Sequence, residues 1–164
     1  MAPENKIILD NMVGIANAYK NSAEVMKIGN ILIKLLAFRQ RITTPHGRPL
    51  EFDCEILPRI LLYSLNIEIQ FKALYLADAD TKSKGHDLED LFNKLAPTRQ
   101  QEIIGKMPKP YNIEVDFRKV LHDNKETFIE WRYSYEQKQL ECNVSFLHML
   151  SNALAGILLP IVNP

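Results

Sequence analysis

Apolar residues recur at spacings of three and four positions along nearly the whole chain, and no segment alternates in the manner of a β-strand. This spacing is the period of an amphipathic α-helix. A long helix is predicted over about residues 54–79, with Pro58 in its first turn, where the missing N–H group costs no hydrogen bond. Its apolar stripe consists of Ile60, Tyr63, Ile67, Phe71 and Leu74. The pattern predicts an all-α protein, an antiparallel up-and-down helical bundle with short accessory helices.

Interruptions of this period divide the rest of the chain into further helices. Asn21 and Ser22 predict a break, with Ser22 as the N-cap of a second helix. Pro108 and Pro110 exclude regular helix between residues 107 and 110. The predicted helices cover about residues 5–19, 22–42, 54–79, 87–95, 96–105, 113–124, 128–137 and 143–159.

Composition predicts a single domain over residues 1–164, long enough to bury a core. Twenty Lys and Arg balance twenty Asp and Glu, so no global field draws the protein to nucleic acid or to a membrane. Arg39, Arg41 and Arg48 form a local basic excess, read either as a solvated helix end and loop or as a phosphate-contacting edge. Cys54 and Cys142 stand 88 positions apart, which predicts free thiols, no metal site and a cytoplasmic location.

Residues 144–162 form the one long uncharged stretch. Four polar side chains lie within it, and Pro160 stands near its end, which disfavours a membrane span. The stretch predicts a buried C-terminal helix, with a helix that also forms a dimer interface as the second choice. His148, inside this stretch, is expected to be a core histidine with satisfied hydrogen bonds.

Residues 84–92 read Lys-Gly-His-Asp-Leu-Glu-Asp-Leu-Phe. Gly85 can adopt a left-handed backbone and close a loop. Asp87 can cap the N–H groups that open the next helix. Two interpretations stay open: a capped helix start with His86 beside it, or part of a functional site.

Glu68 and Lys72 are four positions apart on the predicted long helix, so they can form an ion pair on one face. Lys72 could also reach Asp87 or the loop before it, which would hold the long helix against the short one. The alternative is a surface pair of small energetic value.

Residues 128–136 hold the only tryptophan, two tyrosines and an arginine. Trp131 and Tyr135 are one helical turn apart, as are Arg132 and Glu136. Aromatic rings beside an arginine can stack on bases and bind phosphate. They can equally form a packed core edge with Arg132 as an internal tie.

These motifs, in this order, resemble the HEPN domains (higher-eukaryote and prokaryote nucleotide-binding), over roughly residues 55–137. The resemblance implies an all-α bundle that is usually dimeric. Many members are metal-independent ribonucleases of toxin–antitoxin, abortive-infection or other defence systems, and others are non-catalytic binding or accessory modules. The motifs that carry the resemblance are Glu68-x-x-x-Lys72-Ala-Leu, Gly85-His86-Asp87-Leu-x-x-Leu and Phe128-x-x-Trp131-Arg132-Tyr133-x-Tyr135-Glu136.

The nuclease branch of that family carries Arg-x(4–6)-His, and this chain departs from the pattern. Arg132 is the natural arginine, but no histidine stands at positions 137–139. The spacing from Arg118 to His122 is one residue too short. Arg41 and His46 fit by count but lie in a Pro/Gly turn before the matching region. The departure bears on catalysis rather than on fold.

Three hypotheses follow from the sequence. The first is a non-catalytic module, expected to be a homodimer without cofactor or metal, that binds RNA, a nucleotide or a cognate protein partner. Its ligand-binding residues would be Lys72, His86, Arg132 and Tyr133, with structural roles for Glu68, Asp87, Trp131 and Glu136. The second is a metal-independent endoribonuclease for single-stranded RNA, in which Arg132 binds the scissile phosphate and His86 or His46 is the base. The third is a structural protein with no ligand site.

Overall fold

The computed structural model describes the backbone of residues 2–40, 56–132 and 142–163, and the side chains of residues 2–25, 58–130 and 142–163. The described residues form α-helices and connecting loops, with no strand among them, which confirms the all-α prediction. The helices are α1 (Pro3–Gln40), α2 (Ile56–Ala79), α3 (Leu88–Asn93), α4 (Pro97–Lys106), α5 (Glu114–Asp123), α6 (Thr127–Arg132) and α7 (Val144–Val162).

Helix α2 is the centre of the bundle, because α1, α3, α6 and α7 all pack against it. The N-terminus of α1 lies at the C-terminus of α2, where Asn5 Nδ2 donates to Asp80 Oδ1 at 2.8 Å, so these two helices are antiparallel. Buried side chains cover most of the surface of α2 and include four polar ones, namely Ser64, Asn66, Glu68 and Gln70. Buried polar groups need hydrogen bonds, and Glu68 forms them in the candidate site.

Four fully buried phenylalanines join four helices through the core. Phe71 of α2 meets Phe92 of α3 with ring centroids 6.0 Å apart, and Phe92 meets Phe117 of α5 at 5.1 Å. Phe117 meets Phe146 of α7 at 5.6 Å. The short helices α3 and α5 are therefore held against α2 and α7 by aromatic packing rather than by their own length.

The predicted break at Ser22 is wrong, because α1 runs through it without interruption. Ser22 Oγ donates to Ala18 O at 2.9 Å, so the hydroxyl bonds back onto the preceding turn instead of capping a new helix. Ala16 and Ala23, seven positions apart, are both buried on the packed face of α1. Packing along this face outweighs the weak local preference of serine for a helix start.

Helix α7 begins where the sequence predicts and ends later. Asn143 is the N-cap and accepts a hydrogen bond from Phe146 N at 2.9 Å. The helix continues past the predicted end at Leu159 to Val162 and contains Pro160.

Among the described helices, α7 alone is long and apolar enough to cross a membrane, judged by length and composition only. Half of its most apolar window is buried in the bundle. A core helix passes the same test.

Candidate ligand-binding site

The Glu68–Lys72 pair predicted on α2 is present. Lys72 Nζ lies 2.6 Å from Glu68 Oε1, and the two side chains are 19% and 5% exposed. A carboxylate this deeply buried requires partners for its charge. Glu68 therefore belongs to the interior of the bundle, with Lys72 at its outer edge.

The second partner of Glu68 is His86, from the loop between α2 and α3. His86 Nδ1 lies 3.0 Å from Glu68 Oε1 and 3.1 Å from Oε2, while its side chain is 57% exposed. The imidazole thus has one edge on a buried carboxylate and the rest of its ring at the surface. It is Glu68, paired with His86, that ties the long helix to the loop before α3.

Backbone geometry places His86 in this position. Gly85 has a φ of +108°, a backbone conformation that residues other than glycine rarely adopt. Asp87 caps α3 by accepting from Asp90 N at 2.9 Å, as the sequence predicts. Lys94 Nζ donates to Lys84 O at 2.8 Å, which closes the loop on the other side of the histidine.

Phe128 of α6 forms the wall beside His86. The two rings are 6.4 Å apart between centroids and inclined by 31°. Helix α6 packs against α2, and Arg132 follows Phe128 by four residues in the same helix. The side chains of Trp131 and Arg132 lie outside the described residues, as do Tyr133 and Glu136. Of the predicted site residues, the structure brings together Lys72, His86 and Glu68, while the side chain of Asp87 caps α3.

Arg118 and His122 of α5, whose spacing is one residue shorter than the nuclease motif, both contact other side chains. Arg118 donates to Glu114 Oε1 at 2.8 Å, to Asn93 Oδ1 at 3.1 Å and to Gln100 Oε1 at 2.9 Å. His122 Nδ1 lies 2.8 Å from Glu89 Oε2. Arg118 thus ties α5 to the α3–α4 region. Arg41 and His46 lie outside the described residues.

A second network of titratable groups joins α1, α2 and α7, and the sequence analysis missed it. Tyr63 donates to Glu24 Oε1 at 2.5 Å, and His148 Nε2 lies 3.0 Å from the same oxygen. The rings of Tyr63 and His148 are 5.5 Å apart between centroids. Burial of Tyr63, together with its bond to Glu24, raises the pKa of the phenol to about 12. No local pattern signals a contact between residues 39 positions apart.

Metal and thiol chemistry have few possible sites in the described part of the chain. It contains no group of three or more His, Cys, Asp or Glu side chains placed to hold a metal ion. Cys142 is a free, half-buried thiol. Its burial, and then the nearby charge of Glu130, raise its pKa to about 12, so the group is a thiol and not a thiolate. Cys54 lies outside the described residues.

No protein-family model matches this chain, and neither does any curated protein or solved structure.

Proposed function

We propose that this chain is a HEPN-like helical module that binds RNA or a nucleotide at the surface formed by Lys72, His86 and Phe128, without cleaving it, and that Arg132, four residues after Phe128 in α6, is a further ligand-binding residue. One observation carries the proposal: an exposed imidazole is held in a fixed orientation beside an aromatic ring. The binding surface is defined by Lys72, His86 and Phe128 and is called the His86 surface below.

The ring geometry supports a base-binding role. An unstacked nucleobase can pack on aromatic or histidine rings, and such stacking contributes about 1–3 kcal/mol per base. His86 is fixed at Nδ1 and Phe128 is half-buried, so both rings lose little freedom when a base packs on them. Lys72 adds a cation at the edge of the same surface.

Non-catalytic binding is the first choice because the spacing Arg-x(4–6)-His has no counterpart after Arg132. Arg118 is bound to three neighbouring side chains, so the near match in α5 supplies no alternative pair. The family resemblance further suggests a homodimer, with a cognate protein partner in a defence or toxin–antitoxin system.

A metal-independent endoribonuclease is the second candidate, favoured by the contact of His86 with Glu68. A carboxylate that orients an imidazole is the usual support of a histidine base. In this alternative His86 would take the proton of the 2′-hydroxyl, and Arg132 would bind the scissile phosphate.

The proposal is tested with fluorescent single-stranded RNA of mixed sequence and with chelator-treated protein. We expect binding that weakens at least about tenfold in Arg132→Ala and in His86→Ala, the loss of about 1.4 kcal/mol each. His122→Ala is the matched control, since His122 is equally exposed and equally paired with a glutamate. Equal affinity in all four proteins would refute the site. Cleavage of the RNA, lost in Arg132→Ala, would establish the ribonuclease instead.

A further inference from the structure

We infer that Glu68 is a positioning residue that keeps the proton of His86 on Nδ1, so that Nε2 faces the ligand as a hydrogen-bond acceptor and selects a ligand hydroxyl. This inference rests on the proposed function, and it names the ligand class of the His86 surface. The expected donor is the 2′-hydroxyl of ribose, so the surface should prefer RNA to DNA.

The charge on Glu68 is the first step. Lys72 Nζ stands 2.6 Å from Oε1, a distance typical of a charge-assisted hydrogen bond between ammonium and carboxylate. An ionised carboxylate has acceptors only. Because Nδ1 of His86 contacts both of its oxygens, at 3.0 and 3.1 Å, Nδ1 must be the donor.

The position of that proton decides the chemistry of the opposite ring edge. A neutral imidazole carries one proton, so a proton on Nδ1 leaves Nε2 with a free lone pair. In water the reverse tautomer, with the proton on Nε2, is the more abundant one. Glu68 therefore imposes the less common tautomer. The same arrangement, a carboxylate behind a histidine, orients imidazoles in many metal and catalytic sites.

The exposure of His86 supports the assignment of Nε2 to the ligand side. The Glu68 side chain is almost fully buried, whereas the ring of His86 is mostly exposed. Because Nδ1 is the nitrogen that meets Glu68, we assign Nε2 to the exposed part of the ring.

An acceptor at this place distinguishes donors from acceptors on the ligand. Phosphate oxygens only accept, so a neutral Nε2 does not recognise them. Hydroxyl groups donate, and the 2′-hydroxyl is the group by which proteins tell RNA from DNA at a given position. A nucleobase stacked on Phe128 would bring its own ribose toward the neighbouring imidazole.

The proton position is measured first, by two-bond nitrogen–proton NMR of the histidine rings in the full chain. For neutral His86 we expect the Nδ1–H tautomer in the wild type and a shift toward Nε2–H in Glu68→Leu. Glu68→Gln keeps an amide oxygen that accepts from Nδ1, so it should keep more of the Nδ1–H form than Glu68→Leu. An Nε2–H ring in the wild-type protein overturns the inference without any variant.

Ligand selectivity is measured second, with RNA and DNA of one sequence. Losing one hydrogen bond of about 1 kcal/mol corresponds to about fivefold weaker binding. We expect the wild type to bind RNA about fivefold more tightly than DNA, and His86→Ala to bind both alike, with His122→Ala unchanged. Equal wild-type binding of RNA and DNA refutes this inference and leaves the proposed function standing. If neither nucleic acid binds, the proposed function itself fails.

Discussion

Two glutamate–histidine pairs lie against α2, and they differ in how the burial is shared between the two partners. In the outer pair, Glu68 is 5% exposed and His86 57%. In the inner pair, Glu24 and His148 are 35% and 34% exposed, and the imidazole also packs on the ring of Tyr63. The outer pair turns its imidazole toward solvent, while the inner pair places it between helices. The exposure of the imidazole, rather than the pairing itself, decides whether a histidine can meet a ligand.

The largest effect is expected from removing the buried carboxylate. Glu68→Ala leaves Lys72 and His86 without their shared acceptor and should lower the free energy of unfolding by about 2–3 kcal/mol. Glu68→Gln should cost less, because its amide can still accept from His86. Glu89→Ala is the control, since Glu89 is more exposed and its loss should cost less than about 1 kcal/mol. Urea unfolding measures all three, and equal losses for Glu68→Ala and Glu89→Ala would remove the distinction by depth.

A smaller effect is expected at the loop that carries the outer pair. Gly85→Ala forces a side chain into a φ of +108° and should destabilise the protein by about 1–2 kcal/mol. Among the described residues, an added Cβ at Gly85 meets only Lys94 Nζ, at 3.8 Å, so the cost is conformational. Gly14→Ala, inside α1 with no described atom within 4 Å of the new Cβ, should instead stabilise by about 0.5–1 kcal/mol. Thermal unfolding measures the direction of both stability changes. Unchanged stability in Gly85→Ala would show that the loop does not depend on its glycine.

Weakening the inner pair should cost less stability than the changes above and should leave ligand binding unchanged. Tyr63→Phe removes one hydrogen bond to Glu24 and should cost about 1 kcal/mol at neutral pH. RNA affinity should stay the same, because Tyr63 is fully buried between helices. Weaker RNA binding in Tyr63→Phe would place the inner pair in the site.

The same variant has a pH signature. The folded pKa of Tyr63, about 12, exceeds the usual value of 10.0. An acid with a raised folded pKa contributes stability that is fully present below its unfolded pKa and is lost as the pH rises through the folded value. The stability difference between wild type and Tyr63→Phe should therefore be constant up to about pH 9 and shrink from pH 10 upward. A difference that is unchanged at pH 11 would contradict the raised pKa.

The smallest effect is expected at Cys142, where burial lowers the reactivity of the thiol. With a pKa near 12, Cys142 has almost no thiolate at pH 8 and should react with iodoacetamide far more slowly than a free cysteine. Peptide mapping by mass spectrometry separates Cys142 from Cys54. Rapid labelling of Cys142 in folded protein would show that burial does not control its protonation.

Local chemistry made part of this structure predictable. The cap at Asp87, the left-handed Gly85 and the ion pair of Glu68 with Lys72 all depend on residues within four positions of one another, and all are present. Tertiary packing determines the features that local sequence does not predict. Ser22 stays inside α1 because a buried face continues past it, and no local signal reveals this.

The decisive contact of the site is also non-local. Glu68 and His86 are 18 positions apart and meet because the loop folds back along α2. The sequence suggests Lys72 for this tie, reaching Asp87 or the loop before it. A buried Glu68–Lys72 pair is costly unless further groups satisfy it, but no local pattern identifies His86 as that group.

The central claim is that the outer imidazole meets the ligand and the inner one does not. The most direct measurement is an NMR titration of the histidine ring signals with single-stranded RNA, resolved by His86→Ala and His148→Ala spectra. The predicted result is a saturable shift of the His86 signals with those of His148 unmoved. A shift of His148 alone, or no shift of His86 at saturating RNA, would contradict the account.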